Sequence, residues 1–220
     1  MLKNIKTGFI KSFLSGCQRY LTVLVLMITV SSCIVVINEE KKYEIEPEIT
    51  LSPKPVLQMS DNLIRSEKGD MIAFLPAGWF LVNVESKVSP DIIAVAVNPD
   101  YTLSAVFSNV RNNELIKETI NKEGLFGLAR ISLERRESKT VSYVKQIGKF
   151  QNINMGNQEF VKYEYSNTGG ALLAKSAVYI SSTGEFYEFS LVPINVKYNI
   201  QPSLKDLDDV FQSFLASINY

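Results

Sequence analysis

Four runs of strand-forming residues follow one another in the second half of the chain, and only short loops separate them. The runs are 141–150, 158–165, 171–181 and 185–192. The loops contain Asn and Gly, as in Thr183-Gly184, which is typical of hairpin connections. Apolar and polar residues alternate in the last run, so we expect one buried face and one partly wet face. This half of the chain therefore predicts an antiparallel sheet of consecutive hairpins.

A second series of short apolar runs precedes this group. These runs lie at 71–75, 79–84, 92–97 and 101–107. Turn residues separate them, notably Pro76 and Pro99, because proline presets the backbone for a turn. We therefore predict an antiparallel meander here.

Two segments have a helical period instead. Between 113 and 137, apolar residues and glycines recur every three or four positions with charges between them, which predicts a helix. Gly124 and Gly127 fall on its inner face, and a helix broken at Gly124 is the alternative. Residues 203–218 carry one apolar stripe and an acidic polar face, so we expect a helix packed in the core. Ser203 is its predicted N-cap, with Asp206 completing a capping box.

Together these elements predict an α+β domain, an α/β/α sandwich with a central antiparallel sheet. Their order resembles the PsbP-like fold, which the extrinsic PsbP proteins of photosystem II, the Ran-binding Mog proteins and several bacterial lipoproteins share. The opening Ile72-Ala-Phe-Leu75-Pro76-Ala-Gly78-Trp79 is similar to the start of such domains, and Asp209-Val-Phe211-Gln-Ser-Phe214 resembles their final helix. The resemblance covers about residues 68–220. It implies a fold but no activity, because functions are not shared across a fold.

The N-terminal segment resembles a bacterial lipoprotein signal peptide. Four basic residues and no acidic ones precede or flank the apolar run 21–30, and Ser31-Ser32-Cys33 follows it. A secretory signal has this order of charged, apolar and small residues. The resemblance implies that residues 1–32 are removed and that Cys33 becomes a lipidated N-terminus carrying palmitate. The remainder would then face outside the cytoplasm, on the bacterial cell membrane or outer membrane.

Two alternatives compete with a lipid on Cys33. Leu14-Ser15-Gly16-Cys17 matches the lipobox letters more closely, but no unbroken apolar run precedes Cys17, which favours Cys33. An uncleaved anchor would use residues 21–37, a length at the lower limit of about 17–25 residues for a transmembrane helix. Both modes of anchoring place the rest of the chain on the same side of the membrane.

A polar segment separates the predicted anchor from the predicted domain. Residues 38–62 are charged, contain several prolines and have no sustained period, which predicts an extended tether. The alternative is a stray edge strand at 48–51. We therefore divide the chain into a signal peptide at 1–32, a lipidated N-terminus and flexible tether at 33–67, and a single PsbP-like domain at 68–220.

Missing residue types limit the chemistry of this domain. The chain has no His, and its cysteines are Cys17 and Cys33 alone, which excludes Ser-His-Asp and Cys-His catalysis and His-ligated metal sites. Without the four basic leader residues, 19 Lys and Arg face 23 Asp and Glu, so no basic surface points to nucleic acid. We expect no enzyme, no cofactor, no metal and no nucleic-acid partner.

Five residues are candidate binding residues: Trp79, Tyr163, Tyr179, Arg135 and Arg136. Trp79 is the single tryptophan, and the alternative is that its ring packs over the sheet end. Arg135 and Arg136 lie near the end of the long predicted helix, where cations complement the helix dipole. We expect a solvated helix end there, with a phosphate or head-group site as the alternative.

Side chains from neighbouring strands could also meet. Tyr163 and Tyr179, with Tyr165 and Tyr187, could form a polar aromatic surface, although cross-strand pairing that stabilises the sheet explains them as well. Glu159, Glu164 and Glu188 could converge as acidic residues, but no sequence spacing forces this.

From these features we predict a membrane-anchored lipoprotein that is not an enzyme and that binds or helps assemble another envelope protein. The alternative is a carrier of a small apolar ligand or lipid between sheet and helix, with Gly124 and Gly127 making room. A hydrolase using carboxylates is the least favoured hypothesis.

Overall fold

A large sheet of eight strands is the centre of the fold. The computed structural model describes residues 43–83, 89–139, 144–167, 172–195 and 200–219. The predicted signal peptide, Cys17, Cys33 and the possible anchor at 21–37 lie outside the described residues. None of the helices in these ranges has the length and apolar content needed to cross a membrane.

Eleven strands and three helices are described in these ranges. The strands are β1 Ile45–Leu51, β2 Met59–Arg65, β3 Ile72–Pro76, β4 Phe80–Val82, β5 Ile92–Val97, β6 Leu103–Val110, β7 Lys145–Met155, β8 Gln158–Asn167, β9 Leu172–Ile180, β10 Phe186–Pro193 and β11 Ile218–Asn219. The helices are α1 Glu114–Glu123, α2 Leu125–Lys139 and α3 Leu204–Ser217.

The strand order in the large sheet is β1-β7-β8-β9-β10-β6-β5-β4. All neighbours are antiparallel except β1, which runs parallel to β7. The hairpins β7–β8, β8–β9 and β9–β10 confirm the predicted series in the second half of the chain.

A second, small sheet of order β11-β3-β2 is separate from the large sheet. The predicted meander is therefore right for β4, β5 and β6 and wrong for β3, which pairs with β2 and β11 instead.

Two apolar clusters cover the two faces of the large sheet. On one face, Leu128 and Leu133 of α2 pack with Phe150 and Val161. On the other face, Phe214 of α3 packs with buried strand residues and with the small sheet. The layers are thus helix, sheet and helix, which confirms the α+β class. Because both faces are covered, Phe186–Leu191 of β10 is buried throughout, and the predicted wet face of this strand is wrong.

The long predicted helix is broken at Gly124, as the alternative had it. Gly124 has φ of 64°, a left-handed value that glycine adopts without steric strain, and its N–H donates to Ile120 at 2.7 Å to end α1. Gly127 lies in the next turn, against α1. A Cβ at Gly127 would lie 2.9 Å from the Thr119 Cγ2 atom, so this glycine permits close contact between α1 and α2.

The terminal helix begins as the sequence predicts. The Ser203 hydroxyl accepts from the Asp206 N–H, and the Asp206 carboxylate accepts from the Ser203 N–H, which is a capping box. This arrangement satisfies two of the backbone groups that a helix start leaves unpaired.

The predicted flexible tether is wrong within the described residues. Residues 45–51 form β1 and residues 59–65 form β2, and the compact unit begins at Tyr43 rather than at 68. The alternative edge strand is confirmed and extends over the whole of β1. The N–H groups of Val56 and Leu57 donate to the Ser213 hydroxyl of α3 at 3.0 and 2.9 Å. These long-range bonds hold a segment that has no periodicity of its own.

Candidate functional site

A cavity of about 380 Å³ lies between α2 and the part of the sheet formed by β5, β6 and β10. This volume is at the lower end of the range of about 300–1,000 Å³ for small-molecule sites. Its apolar lining consists of Ile92, Val106, Val110, Val144 and Val192. Charged and polar side chains from α2 and from the strands complete the wall. The cavity wall therefore combines apolar, polar and charged side chains.

Arg136 of α2 makes the central polar contact of the cavity wall. Its guanidinium reaches Glu188 of β10, with Nη2 at 2.7 Å and Nε at 3.1 Å from Oε1. The Nη2 group also donates to the Ser190 hydroxyl at 2.6 Å. The Glu188 side chain is 9% exposed, so its charge depends on this arginine for compensation.

Two tyrosines of β8 complete this network. The Tyr163 hydroxyl donates to the Glu188 carboxylate, and Arg136 Nη1 donates to the Tyr165 hydroxyl at 3.0 Å. The guanidinium carbon also lies 5.1 Å from the centre of the Tyr165 ring, within range of a cation–π contact. We call Arg136, Glu188, Tyr163, Tyr165 and Ser190 the Arg136 network.

The protonation states in the Arg136 network follow from its geometry. Burial alone would lower the pKa of Arg136, but Glu188 and the two tyrosine hydroxyls raise it well above its ordinary value. Burial also raises the pKa of Tyr163 well above its ordinary value, and the nearby Glu188 carboxylate raises it further. At neutral pH the arginine is therefore charged, and Tyr163 remains a hydrogen-bond donor.

A second group of charges in the cavity wall is arranged around Asp91. Its carboxylate accepts from Arg111 Nε at 2.6 Å, and Arg135 Nη2 lies 3.5 Å from its second oxygen. Lys139, at the end of α2, lines the cavity and forms no ion pair with any residue of the described ranges. Three cationic side chains (Arg135, Arg136 and Lys139) and two carboxylates (Asp91 and Glu188) thus line the cavity.

Two buried oxygen atoms in the cavity wall lack a hydrogen-bond partner among the described residues. They are Ser132 Oγ on α2 and Asn109 Oδ1 on β6. Ser132 is 2% exposed, so bulk water does not reach it freely. A buried polar group without a partner costs about 1–3 kcal/mol. A water molecule reaches neither atom, so both oxygens are enclosed behind the cavity wall.

The sequence analysis did not single out Ser132 or Asn109. The available signal was weak: Ser132 follows Ile131, which belonged to the inner face of the predicted helix. The one local signal is that the polar Ser132 lies next to an apolar position of the helix. The residues that face Ser132 across the cavity depend on how the strands pair, and the local sequence does not encode this pairing.

The structure separates the five candidate binding residues. Arg136 lies in the network rather than in solvent, and Arg135 is half-buried and lines the same cavity. Tyr163 belongs to the network too. Trp79 and Tyr179 are buried in the cluster on the other face of the sheet. Trp79 packs edge-on against Phe214 with ring centres 5.1 Å apart, as the packing alternative had it.

The four tyrosines form two separate pairs on opposite faces of the sheet, not one surface. Tyr163 and Tyr165 face α2, whereas Tyr179 and Tyr187 lie in the opposite face, where their rings stack 5.6 Å apart. Glu164 also points away from Glu188, because it accepts from Lys175 at 2.8 Å on the α3 side. The hypothesis of converging carboxylates is therefore wrong for Glu164 and Glu188.

A second polar cluster surrounds Asp70, in the turn between β2 and β3. Its carboxylate accepts from Ser66 and Ser181 at 2.7 Å, from Tyr187 at 2.6 Å and from Thr183 at 2.5 Å. Burial acts to raise the pKa of Asp70, but these hydroxyls outweigh it and hold the pKa well below its ordinary value. Burial and the bond to Asp70 raise the pKa of Tyr187 to about 12. The cluster fastens this turn to the β9–β10 hairpin.

No metal site is recognisable in the described ranges, since they contain no group of three or more Asp, Glu, His or Cys side chains able to hold an ion.

Comparisons with known proteins bear on the fold. No protein-family model matches this sequence, and no curated protein is significantly similar to it. The solution structure of CyanoP, the cyanobacterial PsbP of Synechocystis, is similar with a TM-score of 0.50 and 16% identity, over 72% of this chain and 92% of that one.

Two further solved structures are more distant. LpqN, which is involved in cell envelope biogenesis of Mycobacterium tuberculosis, has a TM-score of 0.42 and 13% identity over 73% of this chain and 90% of that one. A Bacteroides thetaiotaomicron protein has a TM-score of 0.34 and 16% identity over 71% of this chain, and the chain spans about half of it, 47%. The likeness to CyanoP and the helix–sheet–helix layering together show that this chain has a PsbP-like fold.

Proposed function

We propose that this chain is a membrane-anchored, non-enzymatic binding module of the bacterial cell envelope, which holds a small molecule in the cavity beside α2. The observation that carries the proposal is the cavity of about 380 Å³, whose wall combines five aliphatic side chains with Arg135, Arg136 and Lys139.

The acidic side chains of the cavity favour binding over catalysis. Glu188 accepts from Arg136 and Tyr163, and Asp91 is paired with Arg111 and Arg135. Each carboxylate thus already accepts a hydrogen bond from an arginine of the chain itself. Both carboxylates therefore serve to position the cationic side chains.

The membrane anchor in this proposal is a lipid on Cys33, and the sequence before Cys33 supports it. The test is metabolic labelling with a palmitate analogue, followed by membrane fractionation. We expect Cys33→Ala to lose the label and to stay unprocessed, while Cys17→Ala, the matched control, keeps the label. Retention of label by Cys33→Ala would contradict this anchor.

The ligand is tested by extracting the purified full-length chain with organic solvent and analysing the extract by mass spectrometry. We expect one class of small molecule in a near-stoichiometric amount. An extract without such a molecule, from protein purified at low detergent, would contradict the proposal.

A protein partner is the second candidate function, and β4 favours it. This strand is an edge of the large sheet, and its residues Phe80, Leu81 and Val82 are 37%, 50% and 41% exposed. Tyr101 packs beside Phe80 with ring centres 5.6 Å apart. Such an edge suits an envelope protein that adds an extended apolar segment as a further strand.

The edge is tested by cross-linking in cells. A charge on an edge strand opposes pairing with another strand, so we expect Leu81→Lys to remove a cross-linked envelope partner. Leu63→Lys, at a similarly exposed position of β2, is the control and should keep it. Equal cross-linking in both variants would contradict an interface at β4.

A further inference from the structure

We infer that the ligand of the cavity is a small, neutral amphipathic molecule that donates a hydrogen bond from a hydroxyl group to Glu188 Oε2. Its apolar part lies against aliphatic side chains of β5, β6 and β10. This inference rests on the proposed binding function and adds the chemical class of the ligand. Three observations carry it: the second carboxylate oxygen of Glu188, the place of this oxygen in the sheet, and the charges and aliphatic side chains around it.

The carboxylate of Glu188 has one occupied oxygen and one free oxygen. Arg136 donates to Oε1 through both Nη2 and Nε, and Tyr163 donates to the same oxygen. No hydrogen bond from the described residues ends on Oε2. Oε2 is also not one of the enclosed oxygens of the wall. Because the Glu188 side chain is only 9% exposed and lines the cavity, the cavity is where Oε2 can meet a donor.

The strand order leaves this oxygen on the cavity side of β10. Tyr163 reaches Oε1 from β8, whereas β6 and β5 lie on the other side of β10. Oε2 is therefore the oxygen that remains for the β6 side. Ser108 of β6 lies directly opposite Glu188 in the register and also lines the cavity, and directly opposed residues share a face of the sheet. A ligand at Oε2 would thus also meet the Ser108 hydroxyl.

The charges around Glu188 favour a neutral donor. An ionised carboxyl group only accepts hydrogen bonds, so the ligand must supply the donor. Arg136 already compensates the charge of Glu188 at 2.7 Å, and Arg135 and Lys139 line the same cavity, so a cationic ligand would be repelled by these side chains. An anionic group would be repelled by Oε2 itself. A neutral hydroxyl group satisfies Oε2 without either repulsion.

Aliphatic side chains set the remainder of the ligand. Val106 lies two residues before Ser108 and therefore on the same face of β6, and Ile92 and Val192 line the cavity beside it. None of these side chains can form a hydrogen bond, so they favour hydrocarbon over water. A molecule with a hydroxyl group at one end and a short apolar chain at the other matches both parts of the wall.

The test uses the full-length chain in lipid nanodiscs with a photoreactive octanol that carries a diazirine at the far end of its chain. Labelled peptides are mapped by mass spectrometry, which distinguishes probe in the cavity from probe dissolved in lipid. Four competitors are compared: 1-octanol, octyl glucoside, methyl octyl ether and octylamine. We expect label on β5, β6 or α2. Methyl octyl ether, which has no donor, should compete about tenfold less well than 1-octanol.

The competitors also separate the sources of the hydroxyl group. Stronger competition by octyl glucoside assigns a sugar hydroxyl, and stronger competition by 1-octanol assigns a simple alcohol; both support the inference. Equal competition by methyl octyl ether, stronger competition by octylamine, or label spread evenly over the chain overturns it. The solvent extract tests ligand binding separately. An extracted molecule without an O–H group would therefore overturn this inference and leave the binding function standing.

Glu188→Gln provides a readout that a merely structural role would not move. Arg136 and Tyr163 still require an acceptor, so the amide oxygen takes the place of Oε1 and the amide NH₂ group, a donor, faces the cavity. The tenfold preference for 1-octanol over methyl octyl ether should then fall to about one. Glu164→Gln, at a glutamate that pairs with Lys175 on the α3 side, is the matched control and should keep the preference. An unchanged preference in Glu188→Gln overturns the inference.

A second pair of variants tests the apolar part of the site. Val106→Phe places a larger side chain in the cavity and should abolish labelling, whereas Val82→Phe on the exposed edge strand β4 should not. Full labelling of Val106→Phe overturns the inference. The competitor ratio in the natural chain needs no substitution, so the inference remains testable if Glu188→Gln or Val106→Phe fails to fold.

Discussion

Arg136 and Glu188 join α2 to the middle of the sheet, with Arg136 Nη2 2.7 Å from Glu188 Oε1. The arginine side chain is 27% exposed and the glutamate side chain 9% exposed, so the pair is largely withdrawn from water. It fixes the height of α2 above β10 and forms one wall of the cavity. The packing of α2 and the protonation of the Arg136 network both depend on this contact.

Removing one member of the pair should destabilise the fold strongly. We expect Arg136→Ala to lower the free energy of unfolding by about 3 kcal/mol, because Glu188 would remain buried without a compensating charge. The measurement is urea unfolding followed by circular dichroism. Lys117→Ala, which removes an exposed ion pair with Glu114, is the control and should cost about 0–1 kcal/mol.

Replacing both members tests the same contact from the other direction. Arg136→Met combined with Glu188→Gln should recover much of the free energy of unfolding that Arg136→Ala loses. In the double variant neither side chain is charged, so no buried charge is left without compensation. A double variant as unstable as Arg136→Ala would show that the arginine stabilises the fold by packing and not by its charge.

The Asp70 cluster should make the fold sensitive to acid. The pKa of Asp70 is lower in the folded chain than in the unfolded chain. The charged Asp70 therefore adds to the free energy of unfolding above about pH 4, and this contribution is lost as the pH falls below that value. Asp70→Asn should therefore be less stable by about 1–2 kcal/mol at pH 7, with a smaller difference from the natural chain at pH 3. Urea midpoints at the two pH values measure this.

The exposed Asp61 of β2 supplies a control for that measurement. Asp61→Asn should change the midpoint little, and by the same amount at both pH values. If the difference between Asp70→Asn and the natural chain is as large at pH 3 as at pH 7, the hydroxyl groups around Asp70 do not stabilise its charged form.

For Gly127→Ala, helix propensity and packing predict opposite changes in the free energy of unfolding. Helix propensity alone predicts that Gly127→Ala stabilises the chain by about 1 kcal/mol. The new methyl group would lie 2.9 Å from Thr119 Cγ2 and 3.1 Å from the Thr119 carbonyl oxygen, so we expect a net loss of about 1–2 kcal/mol instead. Thermal unfolding measures it, with Ser138→Ala as a surface control. A rise in stability would show that α1 moves away easily.

The elements that have a local signal in the sequence were predicted correctly. Hairpin loops with Asn and Gly placed β7 to β10, and the capping box of Ser203 and Asp206 placed the start of α3. The β1 strand was predicted as a tether because its pairing with β7 joins residues about a hundred positions apart, and no local period reveals such a contact. The break at Gly124 was open because a glycine inside a periodic segment is compatible with both a continuous and a broken helix.

The candidate site was harder to predict for a related reason. Arg136 was placed at a solvated helix end, whereas the fold brings Glu188, Tyr163 and Tyr165 to it from separate strands. Ser132 and Asn109 line the same cavity, whose shape depends on how far α2 stands from the sheet. Strand register and helix height are tertiary properties, so the residue types alone did not indicate these contacts.

The central claim is that the cavity beside α2 holds a small molecule, and native mass spectrometry of the full-length chain released from mild detergent tests it most directly. We predict a bound mass in the natural chain and in Ser138→Leu, and its absence in Ser132→Leu, whose added side chain occupies the cavity. The same bound mass in Ser132→Leu, or none in the natural chain, would contradict the account.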